Sequence, residues 1–258
     1  MSKIKEEALV IDQENLSPGV YSMWIKTRIA REAKAGQFIS VYTGDKSRLL
    51  PRPISICEIR EDSLRIVYRI AGDGTREFST YRAGDHITIL GPLGNGFEAV
   101  SGKNLKGCAL LIGGGIGVPP MLGLAEALSC EKSIVAGYRS NKDLFLDKEL
   151  SENGKLYIAT DDGSLGTNGT VIDAIRQNHI EADAIFACGP KPMLKAVKSY
   201  AEEKGIPAYI SMEERMACGV GACLGCVCKS TDIDDHSKVN NKRICKDGPV
   251  FLATEVEL

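Results

Sequence analysis

The chain has 258 residues, of which 43% are hydrophobic and 26% charged, and its formal net charge is −2. That balance describes an ordinary globular protein of one large or two smaller domains, with room for an appendage. With Lys plus Arg at 32 against Asp plus Glu at 34, no excess of positive charge drives general nucleic-acid binding, and no basic run suggests a membrane surface.

The start, Met1-Ser2-Lys3-Ile4-Lys5-Glu6-Glu7, meets acids too soon for a secretory signal. The most apolar short run, Cys108-Ala109-Leu110-Leu111-Ile112, is far below the roughly 20 residues of a membrane span. The expected compartment is therefore the cytoplasm, where thiols stay reduced. Nine cysteines then become informative: Cys57, Cys108, Cys130 and Cys188 are scattered, while five crowd into the last 41 residues. Such clustering points to metal or cluster chemistry rather than disulfides.

Residues 1 to about 100 alternate short apolar runs with turn signals. Gln37–Tyr42, Leu64–Arg69 and His86–Leu90 read as strands, separated by Gly44-Asp45, Gly72-Asp73-Gly74 and Ala83-Gly84-Asp85. Interrupted strands without helical runs predict an antiparallel barrel or sandwich. Within this stretch Pro51-Arg52-Pro53-Ile54-Ser55 holds an arginine between two prolines. Proline fixes its own φ and restricts its neighbour, so Arg52 is presented rigidly, as suits a diphosphate, or simply forms a loop. Gly72-Asp73-Gly74-Thr75 is a second phosphate cradle or a hairpin loop. Gly91-Pro92-Leu93-Gly94-Asn95-Gly96-Phe97 is a rigid corner, serving as linker or binding loop.

From about 101 to 211 the rhythm changes. Strands at Cys108–Ile112, Ser133–Tyr138 and Ala182–Ala187 alternate with helices at Pro119–Cys130 and Met193–Lys204, which predicts a doubly wound parallel sheet. Gly113-Gly114-Gly115-Ile116-Gly117 joins the first strand to a helix with Pro119 in its first turn, placing backbone N–H groups where a pyrophosphate binds. The spacing is not G-x-G-x-x-G, because the sixth position is Val118. Thr160-Asp161-Asp162-Gly163-Ser164 ends another strand, to hold a ribose or to turn the chain. Cys188-Gly189-Pro190 ends a third, and ligands gather at such ends in open α/β sheets.

From about 212 onward regular periodicity is lost. Cys218, Cys223 and Cys226 stand in C-x4-C-x2-C spacing, with Cys228 and Cys245 beyond them. That is the spacing of a plant-type [2Fe–2S] site, and the interleaved glycines let the backbone wrap a cluster. Structural zinc is the alternative, although it usually takes two short cysteine pairs. Cys228 and Cys245 compete for the fourth ligand. Thr231–Lys242 reads as an exposed polar loop.

Taken together, Arg52–Ser55, Gly113–Met121 and Cys188-Gly189-Pro190 resemble the ferredoxin–NADP reductase superfamily. More closely, over essentially the whole chain, Gly91–Phe97 and Glu213–Cys228 are similar to the electron-transfer subunits of class 1B dihydroorotate dehydrogenases. The resemblance implies an antiparallel FAD-binding β-barrel over 1–100, a doubly wound α/β NAD-binding domain over 101–211, and a small [2Fe–2S] domain over 212–258. It places FAD on Arg52, Pro53, Ile54, Ser55, Val67, Tyr68, Arg69, Gly74 and Thr75. It places the nicotinamide nucleotide on Gly113, Gly114, Gly115, Gly117, Cys188, Gly189 and Pro190, with Cys188 beside the nicotinamide. Cluster ligands map onto Cys218, Cys223, Cys226 and Cys245.

The implied partner is an FMN-containing catalytic subunit that oxidises dihydroorotate in pyrimidine biosynthesis, in a heterotetramer of two copies of each. Electrons would run through [2Fe–2S] and FAD to NAD⁺. Rival readings are a reductase subunit for a ferredoxin, sulfide or oxygenase system, and a colourless zinc-stabilised nucleotide-binding regulator.

Overall fold

A computed structural model describes residues 3–98, 107–233 and 239–258, so the expected boundary near residue 100 lies outside the described residues. The first part is a closed antiparallel barrel of β1 (Ile4–Ser17), β2 (Val20–Lys26), β3 (Phe38–Val41), β4 (Arg52–Ile59), β5 (Ser63–Arg69) and β6 (His86–Leu93), in the order β1-β2-β5-β4-β3-β6. Alternation builds its core: Leu64, Ile66 and Tyr68 of β5 point inward to Val10, Met23, Ile39, Ile56 and Phe78. The intervening Val67 points outward but is also buried, against the second domain. The long first hairpin, β1 with β2, carried no strong sequence signal.

Two expectations need correction here. Gly72-Asp73-Gly74-Thr75 is no hairpin loop; Gly72 caps helix α1 (Asp73–Phe78), a helical run the first domain was expected to lack. Phe78 enters the barrel core edge-on to Tyr68, with ring centroids 6.0 Å apart, so tertiary packing stabilises a helix too short to announce itself. Arg52 lies in no free turn either: it opens strand β4 and pairs with Val41. Proline is tolerated at position 53 because Ile56 N–H donates to Gln37 O at 3.0 Å, so by two-residue alternation the Pro53 nitrogen faces the strand's other edge.

The second part is a sheet ordered β10-β9-β8-β7-β11-β12-β15. Its strands are β7 (Ala109–Gly114), β8 (Lys132–Tyr138), β9 (Lys155–Thr160), β10 (Thr167–Asn168), β11 (Ala184–Cys188) and β12 (Ala208–Ser211), with β15 (Val250–Leu252) at the edge. Helices α2 (Val118–Ala127) and α3 (Asp147–Asn153) cover one face, and α4 (Val171–Gln177) and α5 (Lys191–Lys204) the other. Both faces are therefore buried, which is why β7 is apolar without alternation. The first helix ends earlier than Cys130, because Leu128 turns extended and packs into the core leading to β8. The last begins at Lys191, before Met193, with Pro192 in its first turn.

The cysteine-rich segment is less irregular than expected. β13 (Val227–Lys229) pairs antiparallel with β14 (Asn241–Arg243), so Asn241 and Lys242 belong to a strand rather than a loop; residues 234–238 of that stretch lie outside the described residues. β15 then adds antiparallel to β12, pairing Ser211 with Val250. Among the described residues, no helix is long and apolar enough to cross a membrane.

Candidate functional site

β4 and β5 pair through Ile59 with Leu64, Glu58 with Arg65 and Ile56 with Ile66. Beyond that point Arg52–Ser55 pair with β3 instead, leaving an open slot between the half-buried residues Arg52–Ser55 and the end of β5. Arg52 lies at its mouth, its guanidinium resting on Gly74: a Cβ there would stand 2.2 Å from Arg52 Nε. Arg52 also donates to the Leu50 carbonyl. The Thr75 hydroxyl accepts from Ala71 N–H at 2.9 Å and Gly72 N–H at 3.2 Å, which fixes the turn beneath Arg52. Two motifs some 20 residues apart in the chain are thus one site. Tyr68 differs from its neighbours, because its ring is inside the barrel and its hydroxyl donates to Gln13 Oε1 at 2.9 Å. Only its backbone faces the slot.

On the other side of Arg69 opens a cleft of about 470 Å³, lined by Gly114 at the end of β7, Gly115 and Ile116 after it, Arg139 and Asp143 after β8, Asp161 after β9, and Gly189, Pro190 and Glu213. It lies at the carboxyl ends of the parallel strands, beside β7 and β11, where successive connections leave the sheet on opposite faces. Gly113 and Gly117 do not line it; they let the chain close up behind it. A Cβ on Gly117 would stand 2.3 Å from the Cys188 carbonyl, and one on Gly113 would stand 2.7 Å from Val118 Cα. Cys188 itself is fully buried. Burial and the nearby Glu213 carboxylate push its thiol well above the ordinary range.

Arg139, Asp143 and Thr170 in this cleft were not found from sequence, because no local motif marks them; Glu213 heads the Glu213–Cys228 run, but nothing in that run gave it a place in the cleft. Asp161 lines the cleft, whereas the Asp162 carboxylate is taken by Ser164, accepting from its N–H at 3.0 Å and its hydroxyl at 2.5 Å. Glu213 is open to the cleft, yet the protein around it raises its carboxyl above the usual range.

The cysteines fall into two pairs. The Cys218 sulfur accepts from Val220, Ala222 and Cys223 N–H groups at 3.4, 3.3 and 3.4 Å, and the Cys223 thiol donates to it as well. Partial burial raises the Cys218 thiol, but these donors outweigh burial and hold it at about 6. Cys245 N–H donates to the Cys226 sulfur at 3.4 Å. Burial and the contact with Cys226 push Cys245 up to about 12. Cys228 stands apart on β13; burial raises its thiol, and the charges around it are Lys242, Glu214 and Lys191 rather than other thiols.

Among the described residues, no three His, Cys, Asp or Glu side chains converge on one point as a single ion requires. Two thiol pairs with inward N–H donors suit instead a two-iron centre bound by four cysteines. The loop is pinned to the barrel: a Cβ on Gly219 would meet Ser40 Oγ at 2.8 Å, and Ser40 pairs with Pro53. Asn95, in the glycine corner, donates to the Lys246 and Asp247 carbonyls at 3.1 Å each. That corner therefore docks the end of the cysteine segment.

Two family models match. Residues 213–257 match the iron-sulfur cluster binding domain of dihydroorotate dehydrogenase B, and residues 111–199 match the oxidoreductase NAD-binding domain. A dihydroorotate dehydrogenase B (NAD(+)) electron transfer subunit from Listeria monocytogenes serotype 4a is 44% identical over 261 residues, covering 99% of this chain and all of its own. Its counterpart from Fusobacterium nucleatum is 40% identical, covering 98% of each chain. The chain belongs to this family of electron transfer subunits.

A solved NADH-dependent reduced ferredoxin-NADP oxidoreductase structure superposes with a TM-score of 0.86 at 29% identity, covering 98% of this chain and 90% of that one. A ferredoxin reductase of carbazole 1,9a-dioxygenase (TM-score 0.69, 19% identity, 81% and 69% coverage) shares the fold. Membership in the dihydroorotate dehydrogenase B family, with its iron–sulfur and NAD-binding models, makes this an oxidoreductase chain that uses FAD, [2Fe–2S] and NAD. The zinc-bound regulator reading falls with it.

Proposed function

We propose that this chain is the electron outlet of an NAD-dependent dihydroorotate dehydrogenase in pyrimidine biosynthesis. A catalytic partner subunit carrying FMN oxidises dihydroorotate to orotate, and two electrons per turnover reach NAD⁺ through this chain. NAD⁺ takes them up with one proton as a hydride equivalent, and the second proton goes to solvent. The assembly is a cytoplasmic heterotetramer of two copies of each subunit. Residues 1–100, 101–211 and 212–258 form its flavin, nucleotide and cluster portions.

When bound, FAD exchanges electrons with both one-electron and two-electron carriers, and the [2Fe–2S] centre carries single electrons. The chain's own part is positioning. Arg52, with Pro53, Ile54 and Ser55, would hold the flavin diphosphate and ring edge, helped by Gly74, Thr75 and the backbone of Val67, Tyr68 and Arg69. Gly114 and Gly115 would meet the nicotinamide nucleotide, with Gly113 and Gly117 behind them, and Cys188, Gly189 and Pro190 would close the nicotinamide end. Cys218, Cys223, Cys226 and Cys245 would hold the iron.

One observation carries the reading: the cysteine loop abuts Ser40, next to the Arg52–Ser55 slot, while the cleft opens beyond Arg69. Three sites in a row support a relay. The test is the complex purified without oxygen and assayed for dihydroorotate-driven NAD⁺ reduction. Activity should vanish without this chain and return on adding it back. NADH oxidation by a dye, with no response to dihydroorotate in the complex, would overturn the pyrimidine assignment and favour another electron partner.

A further inference from the structure

Arg243 is the one side chain that bonds to both cysteine-bearing segments in the hydrogen bonds of the described residues. Its Nη1 donates to the Gly221 carbonyl at 3.2 Å, in the loop between Cys218 and Cys223. Its Nε and Nη2 donate to the two oxygens of Asp247 at 3.2 and 3.3 Å, two residues beyond Cys245. The same carboxylate accepts from Arg243 N–H at 2.7 Å, and the Arg243 carbonyl accepts from Lys246 and Asp247 N–H groups at 3.0 and 2.7 Å. The last turn is thus closed around this residue. Across the hairpin Arg243 pairs with Val227, immediately after Cys226, and the next N–H, from Ile244, donates to the Cys226 carbonyl at 3.0 Å.

A guanidinium can do this and an ammonium cannot, because its donors are fixed in one plane and point in several directions at once. Two of them grip the carboxylate side by side, leaving a third for Gly221. The positive charge then sits next to one thiol pair. Arg243 stands two residues before Cys245 and opposite Val227, which follows Cys226 directly. A cluster gains one negative charge on reduction, so a nearby fixed positive charge favours the reduced form. Net charge and hydrogen bonding around the sulfurs are what set the potentials of such centres.

We propose that Arg243 is a positioning residue for the cluster: its guanidinium ties the two ligand-bearing segments together and places a positive charge beside the Cys226–Cys245 pair, raising the potential of the centre. Asp247 holds the guanidinium in place and offsets part of its charge. The assignment rests on the reading that Cys218, Cys223, Cys226 and Cys245 hold a two-iron centre.

The experiment uses the full chain purified without oxygen, with iron and sulfide content, the electron paramagnetic resonance spectrum of the reduced protein, and a mediated redox titration. Arg243→Gln should hold less iron, and the centre it retains should titrate at a more negative potential than the parent. Arg243→Lys should also lose iron, because the fork is gone, but should return the potential towards the parent value. Asp247→Asn should move the potential the opposite way, to more positive. A purely structural brace would not give opposite signs. If Arg243→Gln takes up no iron, a near-parent potential in Arg243→Lys together with a positive shift in Asp247→Asn decides for the proposal, and a negative shift in Asp247→Asn decides against it. Parent-like iron content and potential in all the variants would overturn the proposal. A parent chain lacking two irons and two sulfides would instead overturn the cluster reading on which it rests.

Discussion

The Arg52 guanidinium lies on the α-carbon of Gly74, so closely that a Cβ at position 74 would stand 2.2 Å from Nε and 2.5 Å from Cζ. The first residue of β4 and the first turn of α1 are therefore one packed unit, and the close approach needs a residue without a side chain at position 74. Gly74→Ala is expected to push Arg52 out of place while leaving the barrel folded. A charged hydrogen bond to a ligand contributes about 1.5–3 kcal/mol, which is roughly a 10- to 100-fold loss of FAD affinity. Arg52→Ala should match it. Flavin content after dialysis, alongside unchanged far-ultraviolet circular dichroism, checks both.

Cys228 and Cys245 are separated by their surroundings. The Cys245 amide reaches the Cys226 sulfur at 3.4 Å, whereas Cys228 faces Lys242 across the hairpin. Cys245→Ser should lose most of the iron and the visible absorbance of the centre. Cys228→Ser should keep both. The reverse pattern would exchange their roles.

The N–H groups around Cys218 also make a pH prediction for protein freed of iron. Its thiol is held down to about 6 from an ordinary value of 9.0, while Cys245 is pushed up to about 12. Because the folded value is the lower one, this thiolate favours the fold above about pH 9, and its contribution is lost as pH falls through 6. Between pH 6 and 8 Cys218 should therefore be alkylated by iodoacetamide well ahead of Cys245. Peptide mapping by mass spectrometry across that range reads it directly.

Arg65 joins the two large parts of the molecule. It is buried, pairs with the buried Glu58 at 2.5 Å, and reaches Glu149 of α3 at 3.5 Å and Glu14 of β1 at 3.4 Å. Arg65→Met strands the Glu58 charge in the interface, and breaking a buried pair costs about 3–5 kcal/mol. A marked drop in melting temperature is expected, with substantial recovery in the double variant Arg65→Met, Glu58→Leu. Calorimetry of the single and double variants checks it; equal melting temperatures for parent and Arg65→Met would rule out a stabilising pair.

Local chemistry was legible in the sequence. The C-x4-C-x2-C spacing, Gly113–Gly117 before a proline-started helix, and the apolar β7 each express a demand that a few consecutive residues must meet together. Those demands leave composition and spacing behind, so the barrel, the parallel sheet and the cysteine site could be anticipated in order.

Long-range contact decided the rest. Nothing local says that Arg52 will meet Gly74, that Cys245 rather than Cys228 will turn towards Cys226, or that Val250–Leu252 will return to the edge of the main sheet beside β12. Nor does anything near Glu213 or Arg139 mark them as walls of one cleft. Such pairings are set by how whole elements pack, through burial and hydrogen bonds between residues far apart in the chain. The residue types were written in the sequence; which of them stand together was decided only when the barrel, the sheet and the cysteine loop closed on one another.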